Sequence, residues 1–282
     1  MHQQSPQFDL KSIAPSLRLD DEGIWIPSRS SAISYPEDGN SICFEVEESS
    51  YWFRHRNNLI KRLYAKYASG TRMYDIGGGN GIVTKYLSDH GESCVLVEPG
   101  RSGALNARRR GIENVVQSTL QDAGFLDGAI ENVGLFDVVE HIQDDHLFLK
   151  DLGRYQKRGS LAFITVPSLR FLWSSEDTLA GHYRRYTKKS LETVLNSTGY
   201  DMFYCTYFFS FLVAPIFFVR TLPSMIGLRG KTCLAVAKRE HSTSNSMVAS
   251  VLLKATQFES ERVMRGKSIA LGSSLLAVAR KR

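Results

Sequence analysis

In the run Tyr74-Asp75-Ile76-Gly77-Gly78-Gly79-Asn80-Gly81, an acid and alternately spaced glycines stand where an apolar stretch gives way to a helical pattern. Glycine lets the backbone turn tightly and pass close to a ligand, and the free N–H groups of the next helical turn receive negative charge. The run therefore points to a strand, loop and helix that cradle a nucleotide-like cofactor. The pattern then repeats. A helix over 81–90 presents Val83, Tyr86 and Leu87 to a sheet; strands are expected at 93–98, 114–117, 129–136 and 160–166, with helices at 102–110 and 144–156 between them. This alternation describes a doubly wound α/β sheet. A helix capped by Thr187 ends at Gly199, a sixth strand begins near Tyr200, a helix covers 247–265 and a last strand covers 274–280. Ahead of the first strand, 47–68 reads as a helical cap and 17–40 as irregular chain.

With 43% apolar and 23% charged residues, the 282-residue chain is globular, with room for one large domain and additions. We expect an N-terminal extension over 1–45 and an α/β domain over 46–282 with an insertion at about 209–268. The polar start, 1–12, lacks the apolar core of a secretory signal, so the expected location is the cytoplasm. Cys43, Cys94, Cys205 and Cys233 lie far apart with no C-x-x-C pair, which argues against a zinc knuckle or a disulfide framework. A net charge of +6 admits an anionic partner. The basic groups at 108–110, 184–185, 188–189 and 280–282 come without an aromatic-rich RNA-binding signature, so no nucleic-acid partner is expected.

From Met202 to Val219 there is no charged residue. The stretch approaches the ~18 to 20 apolar residues of a membrane span, but Pro215 and the polar Tyr204, Thr206, Tyr207 and Ser210 interrupt it. Its first half suits the sixth strand. The rest, 212–228, has Arg220 and Arg229 near its polar edge and reads either as a core helix or as a helix lying flat in a lipid interface. Residues 209–228 are therefore a candidate peripheral membrane contact.

A nicotinamide site wants G-x-G-x-x-G, and counting from Gly77 and Gly79 its third glycine falls on Ile82. The chain offers Gly81 instead. Glu98, about 20 residues downstream, can accept hydrogen bonds from both hydroxyls of a ribose, a role shared by either cofactor class. Gly230-Lys231-Thr232 and Gly266-Lys267-Ser268 imitate a phosphate loop, but Met225 and Glu261 occupy the positions of its leading glycine, which discards ATP and GTP.

Asp75 to Gly81 resembles the first motif of class I S-adenosylmethionine-dependent methyltransferases, and Glu98 resembles their ribose-binding acid. Phe136-Asp137-Val138-Val139-Glu140-His141-Ile142 resembles the F-D-V-L-E-H-I run after their fourth strand. Tyr51-Trp52-Phe53-x-x-Arg56 and His182-Tyr183-Arg184-Arg185-Tyr186-Thr187 are similar to the W-F-x-x-R and H-x-R-R-Y-T segments of a bacterial-type subgroup. The resemblance covers 47–207 well and 271–281 loosely. It implies a Rossmann-like methyltransferase fold, α/β and doubly wound, with a mostly parallel seven-stranded sheet, an N-terminal cap and an inserted apolar helical region. The implied methyl donor is S-adenosylmethionine. Gly77, Gly79 and Gly81 would pass close to its methionyl end, with Asp75 influencing the amino group. Glu98 would hold the ribose and Pro99 cover the adenine, whose edge would meet the 119–122 loop through Thr119, Leu120 and Asp122. Phe136 and Asp137 belong to the same cofactor set, and Arg56 either meets the cofactor carboxylate or only fixes the cap.

Methyl transfer is an in-line displacement that depends on alignment and on excluding water. A hydroxyl acceptor benefits from a base, and histidine suits neutral pH. His141, after the fourth strand, and His182, on the loop after the fifth, are the catalytic candidates; a loop-packing role for His141 is the alternative. Arg184 and Arg185 could hold an anionic group on the acceptor, or Arg185 and Tyr186 could form a packed hinge, and Trp173, Asp177 and Tyr183 could line the acceptor pocket or only order the loop. Asp137, Glu140 and His141 also resemble the acid-x-x-Glu-His run of quinone-ring O-methyltransferases that use a divalent metal. Relatives without a metal share that run, and no metal is assigned. The expected activity is O-methylation of a small-molecule, glycan or lipid-linked acceptor. The rivals are a nicotinamide-dependent oxidoreductase and a non-catalytic cofactor-binding protein of the same fold. Asp137-Val138-Val139-Glu140 is not the N/D-P-P-Y/F run of enzymes that methylate nucleic-acid amines.

Overall fold

The computed structural model of the chain describes residues 9–28, 44, 47–48, 50–227 and 246–282. At its centre β3 (Arg72–Ile76) pairs in parallel with β4 (Ser93–Val97) on one side and β6 (Asn132–Phe136) on the other. Short β5 (Val115–Val116) extends the sheet beyond β4, and β7 (Leu161–Pro167) lies beside β6, again in parallel. The last strand, β9 (Ser274–Lys281), enters antiparallel between β7 and β8 (Tyr200–Phe208). The central strands are buried on both faces, which is why they read as apolar runs without alternation. Their side chains still divide two ways. Tyr74 and Ile76 join one core with Val95, Leu135 and Ile164, while Met73 joins the other with Cys94 and Phe163.

Helices cover both faces: α1 (Tyr51–Tyr67), α2 (Ile82–Ser88), α3 (Arg101–Arg109), α4 (Asp145–Tyr155), α5 (Ser175–Leu179), α6 (Lys188–Ser197) and α7 (Ser246–Met264). Ser50 caps α1 by accepting from the Trp52 N–H, and Asp144 caps α4 by accepting from Leu147. Leu59 and Leu63, one turn apart on α1, are fully buried, each worth about 2 kcal/mol of transfer free energy. On α2 the buried face is Val83, Thr84 and Leu87; Tyr86, expected on the sheet, is half-buried and packs on His90.

The described residues form nine strands rather than seven, because part of the segment read as irregular is a hairpin. β1 (Leu17–Leu19) and β2 (Trp25–Pro27) pair antiparallel, and Trp25 joins Val116 at the sheet edge. The turn is made by Asp20, whose Oδ1 accepts from Glu22 and Ile24, and by Gly23 at φ +71°. Residues 1–8 and 29–43 of the expected extension, with Cys43, lie outside the described residues. So do 228–245 of the insertion, with Cys233 and the Gly230-Lys231-Thr232 decoy.

After β8 the chain turns at Phe209, in left-handed conformation at φ +56°, into an apolar arm. The arm comprises short helical turns Val213–Ile216, Phe217–Thr221 and Leu222–Met225. One buried carboxylate anchors it. Glu259 of α7 accepts from the Phe209 and Ser210 N–H groups and lies 2.9 Å from His55 of α1. Among the described residues no helix is long and apolar enough to cross a membrane.

Candidate active site

The glycine loop hangs on the carboxyl ends of β3 and β4. Gly77 donates to the Val97 carbonyl at 2.7 Å, and Gly79 donates to Glu98 Oε2 at 2.8 Å. Glu98 Oε1 accepts from Gly100 at 2.8 Å, so one carboxylate braces two loops. Gly77 (φ +72°) and Gly81 (φ +77°) are left-handed, and a Cβ on Gly81 would fall 2.3 Å from Ile112 Cδ1. That close approach explains the glycine that took the place of the dinucleotide pattern. Asp75 is 1% exposed; Thr84 Oγ1 donates to its Oδ2 at 2.7 Å, while Oδ1 has no partner. Burial pushes the Asp75 carboxyl up to about 6 and that of Glu98 up to about 7.

Beside this loop lies a cavity of about 400 Å³. Of the expected cofactor residues, Gly77, Pro99, Thr119 and Leu120 line it, joined by Phe148 and Leu147, the latter left out of the core, while Asp75, Gly79, Gly81 and Glu98 stand behind the lining. These residues fit the cofactor. The cavity pairs a flat apolar wall with hydroxyl and carboxyl groups, as an adenine requires. Glu98 has lone pairs to spare for ribose hydroxyls after accepting two N–H groups, and the unpartnered Asp75 oxygen suits a nearby ammonium. Asp122 is outside the lining and Phe136 is a core residue packed on the α1 side. Arg56 and Asp137, expected as separate cofactor contacts, are ion-paired with one another. Thr165 also donates to Asp137 at 3.1 Å, and together they hold Asp137 at φ +59°. Arg56 is further packed on Trp52 and Phe53, which accounts for the spacing of the W-F-x-x-R run.

The two candidate histidines come together: the His141 and His182 rings meet edge to face at 4.7 Å. His182 Nδ1 lies 2.9 Å from Asp177 Oδ1, and Arg185 grips both oxygens of the same carboxylate at 2.8 and 2.9 Å. Burial would raise the Asp177 carboxyl, but these hydrogen bonds from His182 and Arg185 hold it down at about 2. Desolvation and the neighbouring His182 push the His141 imidazole down to about 4. Arg185 is thus a tie for the loop, and Arg184 pairs with Asp145 at 2.7 Å. Tyr183 is exposed. Glu140, weighed in the sequence only as part of a metal-like run, is 1% exposed and adjoins His141; burial and then the Asp137 charge push its carboxyl up.

His182, Asp177 and Arg185 line a second cavity of about 430 Å³. Its other walls are the aromatic start of α1, Tyr51 to Phe53, and the apolar arm through Leu212, Pro215, Ile216 and Val219. The sequence marked each wall but not their meeting, since α1 and the arm lie some 160 residues apart. The histidine pair stands between residues that line the two cavities. His141 stands between Val138 and Ile142, which line the first, and touches His182, which lines the second.

Comparison with known proteins identifies the family. A protein of Mycolicibacterium smegmatis named "Probable S-adenosylmethionine-dependent methyltransferase" is 21% identical over 179 residues, 62% of this chain and 69% of the relative. A ubiquinone biosynthesis O-methyltransferase of Vibrio parahaemolyticus is 25% identical over 140 residues, 44% of this chain and 60% of that protein. The fold is similar to that of phosphoethanolamine N-methyltransferase 2 of Haemonchus contortus, solved with S-adenosylhomocysteine, at a TM-score of 0.55 and 14% identity; the match covers 91% of this chain and 61% of that one. The methyltransferase-domain family matches residues 52–204, more than half of the chain. The chain belongs to that family, and is a class I S-adenosylmethionine-dependent methyltransferase.

Proposed function

We propose that the enzyme methylates an oxygen of an amphipathic acceptor: a small molecule, a glycan or a lipid-linked compound whose polar end reaches the histidine pair. The observation that carries this reading is the second cavity, apolar along Leu212 to Val219 and polar at His182 and Asp177. S-adenosylmethionine supplies the methyl group from a sulfonium that becomes neutral on transfer. Asp177 fixes the His182 ring, as the orienting carboxylate of a base does, so the pair is suited to receive a hydroxyl proton. An oxygen acceptor is also favoured by the Vibrio relative, whose name records O-methylation.

The lipid-linked member of this class is supported by the arm's outer surface. Phe218, Val219, Met225 and Ile226 are 57–73% exposed, beside the cavity that Val219 itself lines. Phe171, exposed on the neighbouring turn and packed against Phe217, continues the patch. An apolar surface at a cavity mouth suits peripheral contact with a membrane carrying the acceptor. Co-sedimentation with anionic liposomes tests this, and full retention in the supernatant would refute it. The cofactor is tested against its rival by titrating S-adenosylhomocysteine and NADH; tight binding of NADH alone would return the chain to the oxidoreductases. Transfer of a labelled methyl group to hydroxyl acceptors, and not to their amine counterparts, tests the oxygen.

A further inference from the structure

We propose that Glu140, His141 and His182 form a binding site for a divalent d-block cation of the zinc, manganese or iron(II) kind. One ligand atom from each lies within 4.8 Å of the other two. Proximity alone is common among polar side chains. What distinguishes this trio is how its remaining atoms are engaged. His182 Nδ1 is bonded to Asp177, leaving Nε2 free, and Asp177 is itself clamped through both oxygens by Arg185. A metal-binding histidine is oriented in this way, with its second nitrogen on a carboxylate or a backbone carbonyl. The third member, Glu140, is 1% exposed, and its Oε2 has no hydrogen-bond partner. An unpartnered buried carboxylate oxygen is costly, and a cation would compensate it.

Two imidazoles and a carboxylate suit d-block cations; magnesium and calcium prefer oxygen ligands. Asp137 is outside the set, since Arg56 and Thr165 occupy its carboxylate. His182 therefore supplies the ligand that the Asp137 to His141 run lacks, and it arrives from a loop 41 residues on. Three protein ligands leave a coordination position open, and His182 faces the second cavity. The chemical role rests on the acceptor reading above: a cation held there would act as a Lewis acid on the acceptor hydroxyl and ease loss of its proton, and with it bound His141 and His182 would be its ligands, the proton-accepting role given them above being that of the cation-free site.

The test uses untagged full-length protein, stripped with chelator and titrated with Co²⁺ and Zn²⁺ without cofactor or acceptor. One equivalent should bind, with Co²⁺ giving the visible ligand-field absorption of a nitrogen-containing site. His182→Ala and Glu140→Gln should each weaken binding at least tenfold, and Asp177→Asn about 10- to 100-fold. Should the buried Glu140 variant fail a circular-dichroism check, the partly exposed His182 variant decides. Absence of stoichiometric binding, or an affinity that His182→Ala leaves unchanged, would overturn the proposal. Because no acceptor is present, that failure would leave the acceptor reading standing; a protein that binds the cation yet methylates no hydroxyl would sink the acceptor reading alone.

Discussion

On the glycine-loop side, the one proposed to hold the cofactor, the groups that matter sit on strand ends or on the backbone that follows them. Gly77 hangs from Val97, Gly79 from Glu98, and Asp75 is held in register between Leu96 and Gly134. On the side proposed for the acceptor, the groups come from loops and short or distant helices and are held by one another: His182 and Arg185 by Asp177 of α5, the arm by Glu259 of α7, Tyr183 by the Glu140 carbonyl. A pocket made of main chain and parallel strands survives most side-chain changes, because the sheet supplies its geometry. A pocket made of side-chain pairs is altered by a few substitutions, which leave the sheet untouched. On the proposed assignment, the fold itself supplies the cofactor side, and side-chain pairs supply the acceptor side.

If this division holds, substitutions on either side should separate cleanly. His182→Ala should lower kcat by about 10²- to 10⁴-fold, the usual contribution of a group that assists proton removal, with S-adenosylhomocysteine affinity unchanged in calorimetry. An equal fall in cofactor affinity would erase the division. Glu98→Ala should do the reverse and weaken S-adenosylhomocysteine about 100-fold, since about 3 kcal/mol of charged hydrogen bonding is removed.

The pH dependence of cofactor affinity should belong to the strand-end side. Glu98 titrates at about 7, and its ionised form accepts ribose hydroxyls, so affinity should fall up to tenfold per unit below about 7 and level off above it. The stability contribution of the same group runs the other way. Its folded pKa is raised above the ordinary carboxylate value, so that contribution is complete below the ordinary range and is lost as pH rises to about 7. Affinity titrations and thermal melts across this window should have opposite slopes, and parallel slopes would remove Glu98 as the cause. The smallest effect is expected at the arm, where Phe218→Asp combined with Met225→Asp should reduce liposome binding several-fold and leave cofactor affinity alone.

The same difference explains what could be read from the sequence. The glycine run, Glu98 and the Phe136 to Ile142 run are local, because the loop after each strand carries its own chemistry, and the parallel sheet followed from apolar runs of strand length. Pro99, Thr119 and Leu120 line the cavity beside the glycine loop for the same reason. The hairpin at Leu17–Pro27 was missed although Asp20 and Gly23 carry its turn signal, because its strands are three residues long. The pairing of Arg56 with Asp137 is a contact across 81 residues, and neither partner's surroundings announce it. His182 was legible as a residue on a substrate loop, but its meeting with His141 and Glu140 was not. That meeting depends on how the 168–186 loop folds back, which is set by Arg185 bridging Asp177 and the Ser168 carbonyl.

A crystal structure with S-adenosylhomocysteine tests the central claim most directly. The ribose should lie on Glu98, the adenine between Pro99 and Leu120, and the sulfur should face the His141 and His182 pair with the second cavity beyond it. An adenine in the second cavity, or a sulfur turned away from the histidines, would contradict the assignment of one cleft to the cofactor and the other to the acceptor.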